Sequence, residues 1–376
     1  MKQYQVLVVL ILSLVLTGTV VAQQRSPGAD TVATQDSTEI PGNTLVPLPA
    51  VFYTPETKWG FGGVVTYYMY DKEQRAGRIL PSTLSAIGIY TTQKQIIALV
   101  NTELYFGGDE YRLLGSTGYS KFPTKFWGIG NETPDSLEED YTPKTFNIGG
   151  EFQWQVLPGW YLGAVAQAAY RELAEVEEDG LLASGLVPGS EDGRIIGAGL
   201  LLTRDTRNNA VYPSGGSYHQ LRVTLYDGLF QSDYAYGSYS LDLRTYVSPV
   251  QRHVLAIRAV GQATSGTAPF DVLPQLGGDA LLRGYFQGRF RDRQLLAGQL
   301  EYRAPVWWRI GLVGFVAGGQ VASAFDGFQL GGFKGSAGGG LRFLLDPQSG
   351  LNIRADYGWA FDLGTGGFYL NVGEAF

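Results

Sequence analysis

From residue 46 onward the chain repeats segments of about ten residues in which apolar and polar positions alternate, each followed by a turn. In "AGQLEYR", Leu300 and Tyr302 share one face, whereas Glu301 and Arg303 share the other. The segments "LNIRADYG" and "YSLDLRTY" alternate in the same way. Because period-two alternation is typical of β-strands, the pattern predicts an all-β protein whose strands have one apolar and one often charged face.

The charged faces favour a membrane barrel over a secreted sandwich or propeller, which is the alternative. A barrel directs its apolar face to lipid and its polar face to the lumen. Its closed ladder also pairs every backbone group where no water is present. Counting strands by alternating short turns and long loops predicts a transmembrane antiparallel β-barrel of about 16 strands. The first strand is predicted at 46–55. Long loops are predicted at 123–143 and, after the eleventh strand, at 263–292.

The start of the chain has the pattern of a secretory signal peptide. Lys2 precedes an apolar run from Val6 to Thr17, and the small residues Val20 and Ala22 have signal-peptidase spacing. We therefore expect a signal peptide at 1–22, a disordered periplasmic tail at 23–45 and a barrel domain at 46–376. No later run reaches the roughly 18 apolar residues of a membrane-spanning helix.

Composition supports this class of protein. The chain has 52 Gly, 23 Tyr and 19 Phe but only 17% charged residues, which fits neither a disordered chain nor an ordinary helical enzyme. A net charge of -7 without a basic aromatic patch argues against binding nucleic acid. The chain has no cysteine, which excludes disulfides and thiolate metal sites.

Two motifs identify a family. "LLRGY" (281–285) resembles the arginine-glycine-aromatic motif in the sixth extracellular loop of the BamA/TamA-like superfamily, also called the bacterial surface antigen family. "LTRDTRNNAVYPSGGSY" (202–218) is similar to that family's periplasmic turn signature. The first motif lies between the predicted strands 11 and 12, and the second between strands 8 and 9. The resemblance covers 46–376.

The resemblance implies that loop 6 folds into the lumen and that its motif, Arg283, Gly284 and Tyr285, acts as a latch. A guanidinium held away from water needs a carboxylate, since it cannot lose its charge. Glu301 is the first candidate partner and Asp356 the second. Family members often carry an Asp where this chain has Ala317. The alternative is that Arg283 is a solvated loop arginine.

The second motif is expected to stabilise its own turn rather than to contact a partner. Asp205, Thr206 and Asn208 can cap local backbone groups, while Pro213 and Gly215 set the turn geometry. Arg207 belongs to the same turn motif.

The final segment "GGFYLNVGEAF" alternates through Phe368, Leu370 and Val372 and finishes at Phe376. A terminal aromatic residue on the closing strand resembles the signal by which outer-membrane barrels are recognised for insertion. Glu374 departs from the apolar residue usual two positions before the end. We expect Phe376 to belong to the closing strand.

Enzymatic activity has little support in the sequence. The two histidines, His219 and His253, share parity with outward-facing residues and suit interfacial positions better than general bases. The acidic segments "DSLEED" and "EVEEDG" lack ordered ligand spacing for a metal. We expect no enzyme activity, no cofactor and no metal site.

The family resemblance implies a role in inserting or translocating proteins or lipids at the outer membrane of a Gram-negative-type envelope. The expected partners are outer-membrane lipids and lipopolysaccharide, unfolded outer-membrane protein or lipid substrates, and the cell's barrel assembly machinery, which would insert the chain itself. The tail is expected to be too short for periplasmic POTRA domains. Pro47 and Pro49 lack N–H donors, which suggests a weak seam between the first and last strands. A passive channel or a structural surface antigen is the alternative.

Overall fold

One antiparallel sheet closes on itself to form the barrel in the computed structural model, which describes residues 42–70, 81–347 and 350–376. The sheet has seventeen ladder segments. Two of these, Tyr111–Lys121 and Thr124–Phe126, pair with the same neighbour and form one interrupted strand. The barrel therefore has the predicted sixteen strands.

The strands are numbered in chain order: β1 (Thr44–Thr54), β2 (Lys58–Met69), β3 (Ser82–Thr91), β4 (Ile96–Phe106), β5 (Tyr111–Lys121 with Thr124–Phe126), β6 (Glu139–Leu157), β7 (Trp160–Val176), β8 (Gly193–Asp205), β9 (Gly216–Tyr226), β10 (Tyr236–Val247), β11 (Val254–Gly266), β12 (Gln294–Trp307), β13 (Ile310–Ala322), β14 (Lys334–Asp346), β15 (Leu351–Ala360) and β16 (Gly366–Val372). Short 3-10 helices lie in the connections: Asp135–Leu137, Gly228–Phe230, Phe270–Val272, Phe325–Gly327 and Leu330–Gly332. Within the described ranges, no helix is long and apolar enough to cross a membrane.

The two faces of each strand have the predicted chemistry. On β12, Glu301 and Arg303 are almost fully buried toward the lumen, whereas Leu300 and Tyr302 are exposed on the outside. Large apolar side chains are exposed in this way around the whole barrel. Alternation thus directs apolar residues to the lipid side and charged residues inward.

Most of the longer connections lie at one end of the barrel: 127–138, 177–192, 227–235, 267–293 and 323–333. We call the end that carries the β8–β9 turn the turn end, and the end that carries the β11–β12 loop the loop end. This loop spans 267–293, close to the predicted 263–292. The loop predicted at 123–143 is shorter than expected, because β5 continues to Phe126 and β6 begins at Glu139.

The two ends of the barrel domain differ from the sequence expectation. β1 begins at Thr44, two residues before the predicted start. The expected place of Phe376 in the closing strand is wrong, because β16 ends at Val372. Gly373, at φ 82°, redirects the chain, and Phe376 is only 6% exposed. The predicted signal peptide (1–22) and all but the last four residues of the predicted tail (23–45) lie outside the described residues.

Candidate functional site

Loop 6 (267–293) packs against the inner wall of the barrel. Its residues Gln275–Leu276 pair with Phe290–Arg291 in a small hairpin. Apolar residues of the loop and the wall form one buried cluster: Leu276, Leu282, Tyr285 and Phe290 from the loop with Val260, Leu295, Ala297, Val321 and Ala360 from the strands. Because full burial of such a side chain contributes about 1.5–3 kcal/mol, this cluster stabilises the loop inside the lumen.

A glycine turn carries the arginine of loop 6 to the wall. Gly284 has φ 109°, a conformation that side chains with a Cβ rarely adopt. A Cβ there would lie 2.8 Å from the backbone nitrogen of Ala360. The N–H of Gly284 donates to the hydroxyl of Tyr369, at 3.0 Å. Both the turn and the close approach to β15 therefore require glycine at this position.

Arg283 contacts both candidate carboxylates at once. Its Nη2 donates to Glu301 Oε2 at 2.6 Å, and its Nη1 donates to Asp356 Oδ2 at 2.5 Å. The arginine is 2% exposed and both acids are fully buried, so the alternative of a solvated loop arginine is wrong. Two carboxylates from separate strands, β12 and β15, fix the guanidinium in position and orientation.

An aromatic ring contributes a contact that the sequence analysis missed. Arg283 Cζ lies 3.5 Å from the ring centroid of Phe315. Phe315 occupies an inward position on β13, two residues before Ala317. The inward parity of β13 could have indicated Phe315, but contact with Arg283 depends on how far loop 6 descends.

Arg283, Glu301 and Asp356 belong to a larger charge network in the lumen. The sequence did not predict this network. Its members are four arginines and four acids joined by ion pairs: Arg283, Arg303, Arg342 and Arg354 with Asp279, Glu301, Asp356 and Glu374. The cations and the carboxylates are equal in number, so the network compensates its own charge. Such compensation is required where charges are removed from water.

Contacts at the loop end also anchor loop 6. The hydroxyl of Tyr285 donates to Asp362, which follows β15. Although burial opposes the shift, hydrogen bonds from Tyr285 and Lys334 lower the pKa of the Asp362 carboxyl. Glu56, between β1 and β2, accepts a hydrogen bond from the backbone N–H of Gln287 at 2.8 Å. Burial raises the pKa of Glu56.

At the turn end, the residues predicted for the β8–β9 turn contact one another. Arg207 donates to both carboxylate oxygens of Asp205, at 2.9 and 2.8 Å. Asn208 Oδ1 accepts from the backbone N–H groups of Ser214 and Gly215, at 3.1 and 3.2 Å. Pro213, which lies between Asn208 and Ser214 in the chain, is buried. These side-chain contacts add to the backbone pairing of the turn, in which the Asn208 N–H donates to the Gly215 carbonyl oxygen at 3.2 Å.

The residues that follow β16, 374–376, enter the turn end of the lumen; we call them the inward segment. Glu374 accepts from Arg342 Nε at 2.8 Å and from Asn352 Nδ2 at 2.7 Å. Arg303 Nη2 donates to the backbone carbonyl oxygen of Phe376 at 3.0 Å. The Phe376 side chain packs in a buried cluster with Tyr246, Val254 and Ala256, beside Tyr212.

β1 and β16 meet along a short seam. Their ladder has one residue pair, Tyr53 with Leu370, whereas β1 forms eleven pairs with β2 and β16 forms seven with β15.

The backbone groups of β2 alternate between its two neighbours, β1 and β3. The carbonyl oxygen of Trp59 on β2 accepts a hydrogen bond from the backbone N–H of Thr92, which lies on the β3 side. Odd-numbered β2 residues thus direct their backbone groups to β3.

The direction of the backbone groups on β1 follows from this register. Since Thr54 pairs with Lys58, the even-numbered residues of β1 face β2 and the odd-numbered ones face β16. Pro47 and Pro49 therefore lie at seam-facing positions, where neither supplies an N–H donor.

One family model and several solved structures match this chain. The model of the Omp85 superfamily domain matches residues 81–376. BamA from Haemophilus ducreyi lacking POTRA domains 1-3 is similar in structure with a TM-score of 0.63 at 15% identity, over 88% of this chain and 70% of that one. CdiB from Escherichia coli has a TM-score of 0.59 at 12% identity, over 89% and 64%.

CdiB from Acinetobacter baumannii gives a TM-score of 0.56 at 11% identity, over 88% of this chain and 59% of that one. The chain thus spans less than two thirds of either CdiB protein. No curated protein matches it in sequence. At these identities the solved structures support the fold, and the match of the family model over most of the chain establishes the family. The chain therefore belongs to the Omp85 superfamily and is a bacterial outer-membrane β-barrel.

Proposed function

We propose that this barrel assists the insertion or translocation of proteins or lipids at the outer membrane of a Gram-negative-type envelope, acting through the seam between β1 and β16. The single ladder pair, Tyr53 with Leu370, is the observation that carries the proposal. Separating the two strands there breaks few backbone hydrogen bonds. Elsewhere in the barrel, each neighbouring pair of strands would have to lose a full ladder.

The two seam-facing prolines support the same role. Pro47 and Pro49 remove two donors from the edge of β1, so this edge cannot form a complete ladder with β16. The opposing edge, on β16 (Gly366–Val372), has no proline, so its seam-facing backbone groups can pair with an added strand. The proposed substrates are unfolded outer-membrane proteins or lipids, with outer-membrane lipids and lipopolysaccharide around the barrel.

In this proposal loop 6 keeps its position in the lumen when β1 and β16 separate. We assign to Arg283, Gly284 and Tyr285 the role of a latch that holds the loop against β12 and β15 while the seam separates. The loop end then lies outside the cell and the turn end in the periplasm. The barrel itself would enter the membrane with the help of the cell's barrel assembly machinery, and Phe376 remains a proposed part of its insertion signal.

A crosslink across the seam tests the function. The chain has no cysteine, so Tyr53→Cys with Leu370→Cys creates one disulfide between β1 and β16. Leu370 also pairs with Ala355 on β15, and Ala355→Cys with Leu370→Cys is the matched control. We expect the seam crosslink to abolish insertion of an unfolded outer-membrane protein into vesicles containing this barrel, and reduction to restore it. The control crosslink should leave insertion intact.

Equal activity with the seam crosslinked or reduced would contradict the seam mechanism. Depletion of the protein followed by outer-membrane proteomics and lipid analysis tests the wider role. No change in the abundance of any outer-membrane protein or lipid would favour a passive channel or a structural surface antigen. Steady conductance in planar bilayers would favour the channel.

A further inference from the structure

We propose that Arg291 and Asp271 form a binding site for a phosphate group in a lumenal cavity beside loop 6. In this site Arg291 donates hydrogen bonds to the charged phosphate oxygens, and Asp271 accepts a hydrogen bond from a phosphate hydroxyl. The inference goes beyond the proposed function, because it involves neither the seam nor an inserted substrate.

Arg291 is the one buried arginine of the described residues that forms no ion pair, and it is 1% exposed. The other buried arginines each pair with a carboxylate: Arg171, Arg258, Arg283, Arg289, Arg303, Arg342 and Arg354. A guanidinium cannot lose its charge, and an unpaired buried charge is costly. An anion that binds Arg291 would therefore stabilise the folded barrel.

The contacts of Arg291 leave part of its guanidinium free. Its Nη2 donates to the backbone carbonyl oxygens of Gly288 and Lys125, at 3.2 and 3.4 Å. The ring centroids of Phe126 and Phe270 lie 5.1 and 5.6 Å from its Cζ. Its Nε and Nη1 are buried and have no hydrogen-bond partner in the described part of the chain. Both nitrogens carry N–H groups that an oxyanion can accept from.

A lumenal cavity of about 90 Å³ lies beside Arg291. Its lining includes Arg291 and Asp271 from loop 6, with Thr124, Tyr141 and Thr145 from β5 and β6. A space of this size holds several water molecules or one phosphate group. The hydroxyl groups of the lining can also donate to phosphate oxygens.

The charges around the cavity favour an anion. Asp271 pairs with Arg171, which also lines the cavity, and Asp279 belongs to the charge network of the lumen. Glu56 is the remaining acid of the lining, and burial raises its pKa, which favours the neutral carboxyl. The charge of Arg291 is therefore left without compensation.

A free acceptor on Asp271 distinguishes phosphate from other anions. Its Oδ2 accepts from Arg171 Nε, whereas its Oδ1 is buried and has no hydrogen-bond partner among the described residues. Near neutral pH phosphate keeps at least one hydroxyl, which can donate to Oδ1 while the charged oxygens accept from Arg291. Sulfate has no hydroxyl, so it would bring a charged oxygen against the carboxylate without a hydrogen bond between them. One phosphate thus satisfies both the free donors and the free acceptor.

Equilibrium binding of radiolabelled inorganic phosphate to the purified full-length barrel in detergent tests the proposal. We expect one phosphate per barrel, and an excess of sulfate should displace little of it. Arg291→Met should weaken binding at least about tenfold, because charge-assisted hydrogen bonds are lost. Asp271→Asn should let sulfate compete, since the carboxylate that repels it is gone. Absence of binding by the folded parent, or equal displacement by sulfate and unlabelled phosphate, would overturn the proposal.

Arg289→Met is the matched control, because Arg289 is a buried arginine of the same loop that already pairs with Asp135. Its loss should leave the affinity for phosphate unchanged, and equal weakening by both variants would contradict the site. Retained folding is checked by the faster migration of the unheated barrel in SDS gels. Should Arg291→Met fail to fold, competition between sulfate and phosphate on the parent decides.

Glycerol 3-phosphate distinguishes free phosphate from the phosphate of a lipid headgroup. We expect it to bind more weakly than inorganic phosphate, because the cavity has little room for the glycerol. Equal affinity would keep the phosphate site and assign it to a phosphomonoester such as a lipid headgroup.

Discussion

The guanidinium of Arg283 lies over the ring of Phe315, with 3.5 Å between Arg283 Cζ and the ring centroid. The ring approaches on one side while Glu301 and Asp356 hold the edge of the guanidinium. An aromatic face therefore stands beside a cation that is already paired with two carboxylates.

Replacing Phe315 by Leu should weaken the attachment of loop 6. A desolvated cation–π contact contributes about 0.5–2 kcal/mol, so Phe315→Leu is expected to lower the free energy of unfolding by at least that amount. Urea unfolding of the barrel in lipid vesicles measures it. In an Arg283→Met background the cost should shrink, since the cation is gone. An equal cost in both backgrounds would show that the ring acts by packing alone.

The pair of Arg283 and Glu301 should behave as one unit in a double-mutant cycle. Arg283→Met or Glu301→Gln alone leaves buried charge uncompensated and is expected to cost about 3–5 kcal/mol. The double variant should cost less than the sum of the two, with a coupling of about 0.5–3 kcal/mol. Thermal unfolding in detergent provides the measurement, and additive losses would argue against coupling.

Arg194 and Asp233 form a matched control for this cycle. They make an ion pair at the loop end with side chains 54% and 41% exposed. Neutralising either partner should have little effect, because water replaces the lost contact.

Stability at the loop end should depend on the protonation of Glu56. Burial raises the pKa of this carboxyl, so the folded barrel binds the proton more tightly than the unfolded chain does. The resulting stabilisation is fully present below the ordinary pKa of glutamate and is lost as the pH rises through the raised pKa. We expect Glu56→Gln to reduce the change of the unfolding temperature with pH over this range. Glu178→Gln, at an exposed loop position, should leave the slope unchanged.

The β8–β9 turn should contribute to stability independently of loop 6. Asn208→Ala leaves the backbone N–H groups of Ser214 and Gly215 without their acceptor, at a cost of about 0.5–1.5 kcal/mol. Because Arg283 lies in a separate network, the costs of Asn208→Ala and Arg283→Met should add within about 0.5 kcal/mol. A clear deviation from additivity in denaturant unfolding would indicate that the two ends of the barrel communicate.

Much of the fold could be predicted because strand parity is a local property. The alternation in "AGQLEYR" and "LNIRADYG" predicted which residues of β12 and β15 face the lumen, and the structure agrees for Glu301, Arg303 and Asp356. The lengths of the connections predicted the number of strands. Strand ends were less accurate: β5 extends to Phe126, because pairing with β6 continues after a two-residue interruption.

The arrangement of side chains within the lumen could not be predicted in the same way. Parity indicates that Phe315 and Arg342 point inward, but many inward residues share that property. Their contacts depend on the depth reached by loop 6, and on the course of the chain after Gly373. The expectation for Phe376 was wrong for this reason: alternation through Leu370 and Val372 predicts a continued strand, whereas the chain turns into the lumen.

The sequence by itself determined the class of fold, the number of strands, the lumen-facing side of each strand and the two motifs that indicate the family. These depend on period-two alternation and on turns, which act between near neighbours in the chain. Only the tertiary structure decided that Arg283 contacts two carboxylates and a ring, that β1 and β16 share one ladder pair, and that Glu374 binds Arg342. Those contacts join residues distant in the chain, and closure of the barrel sets their separation in space.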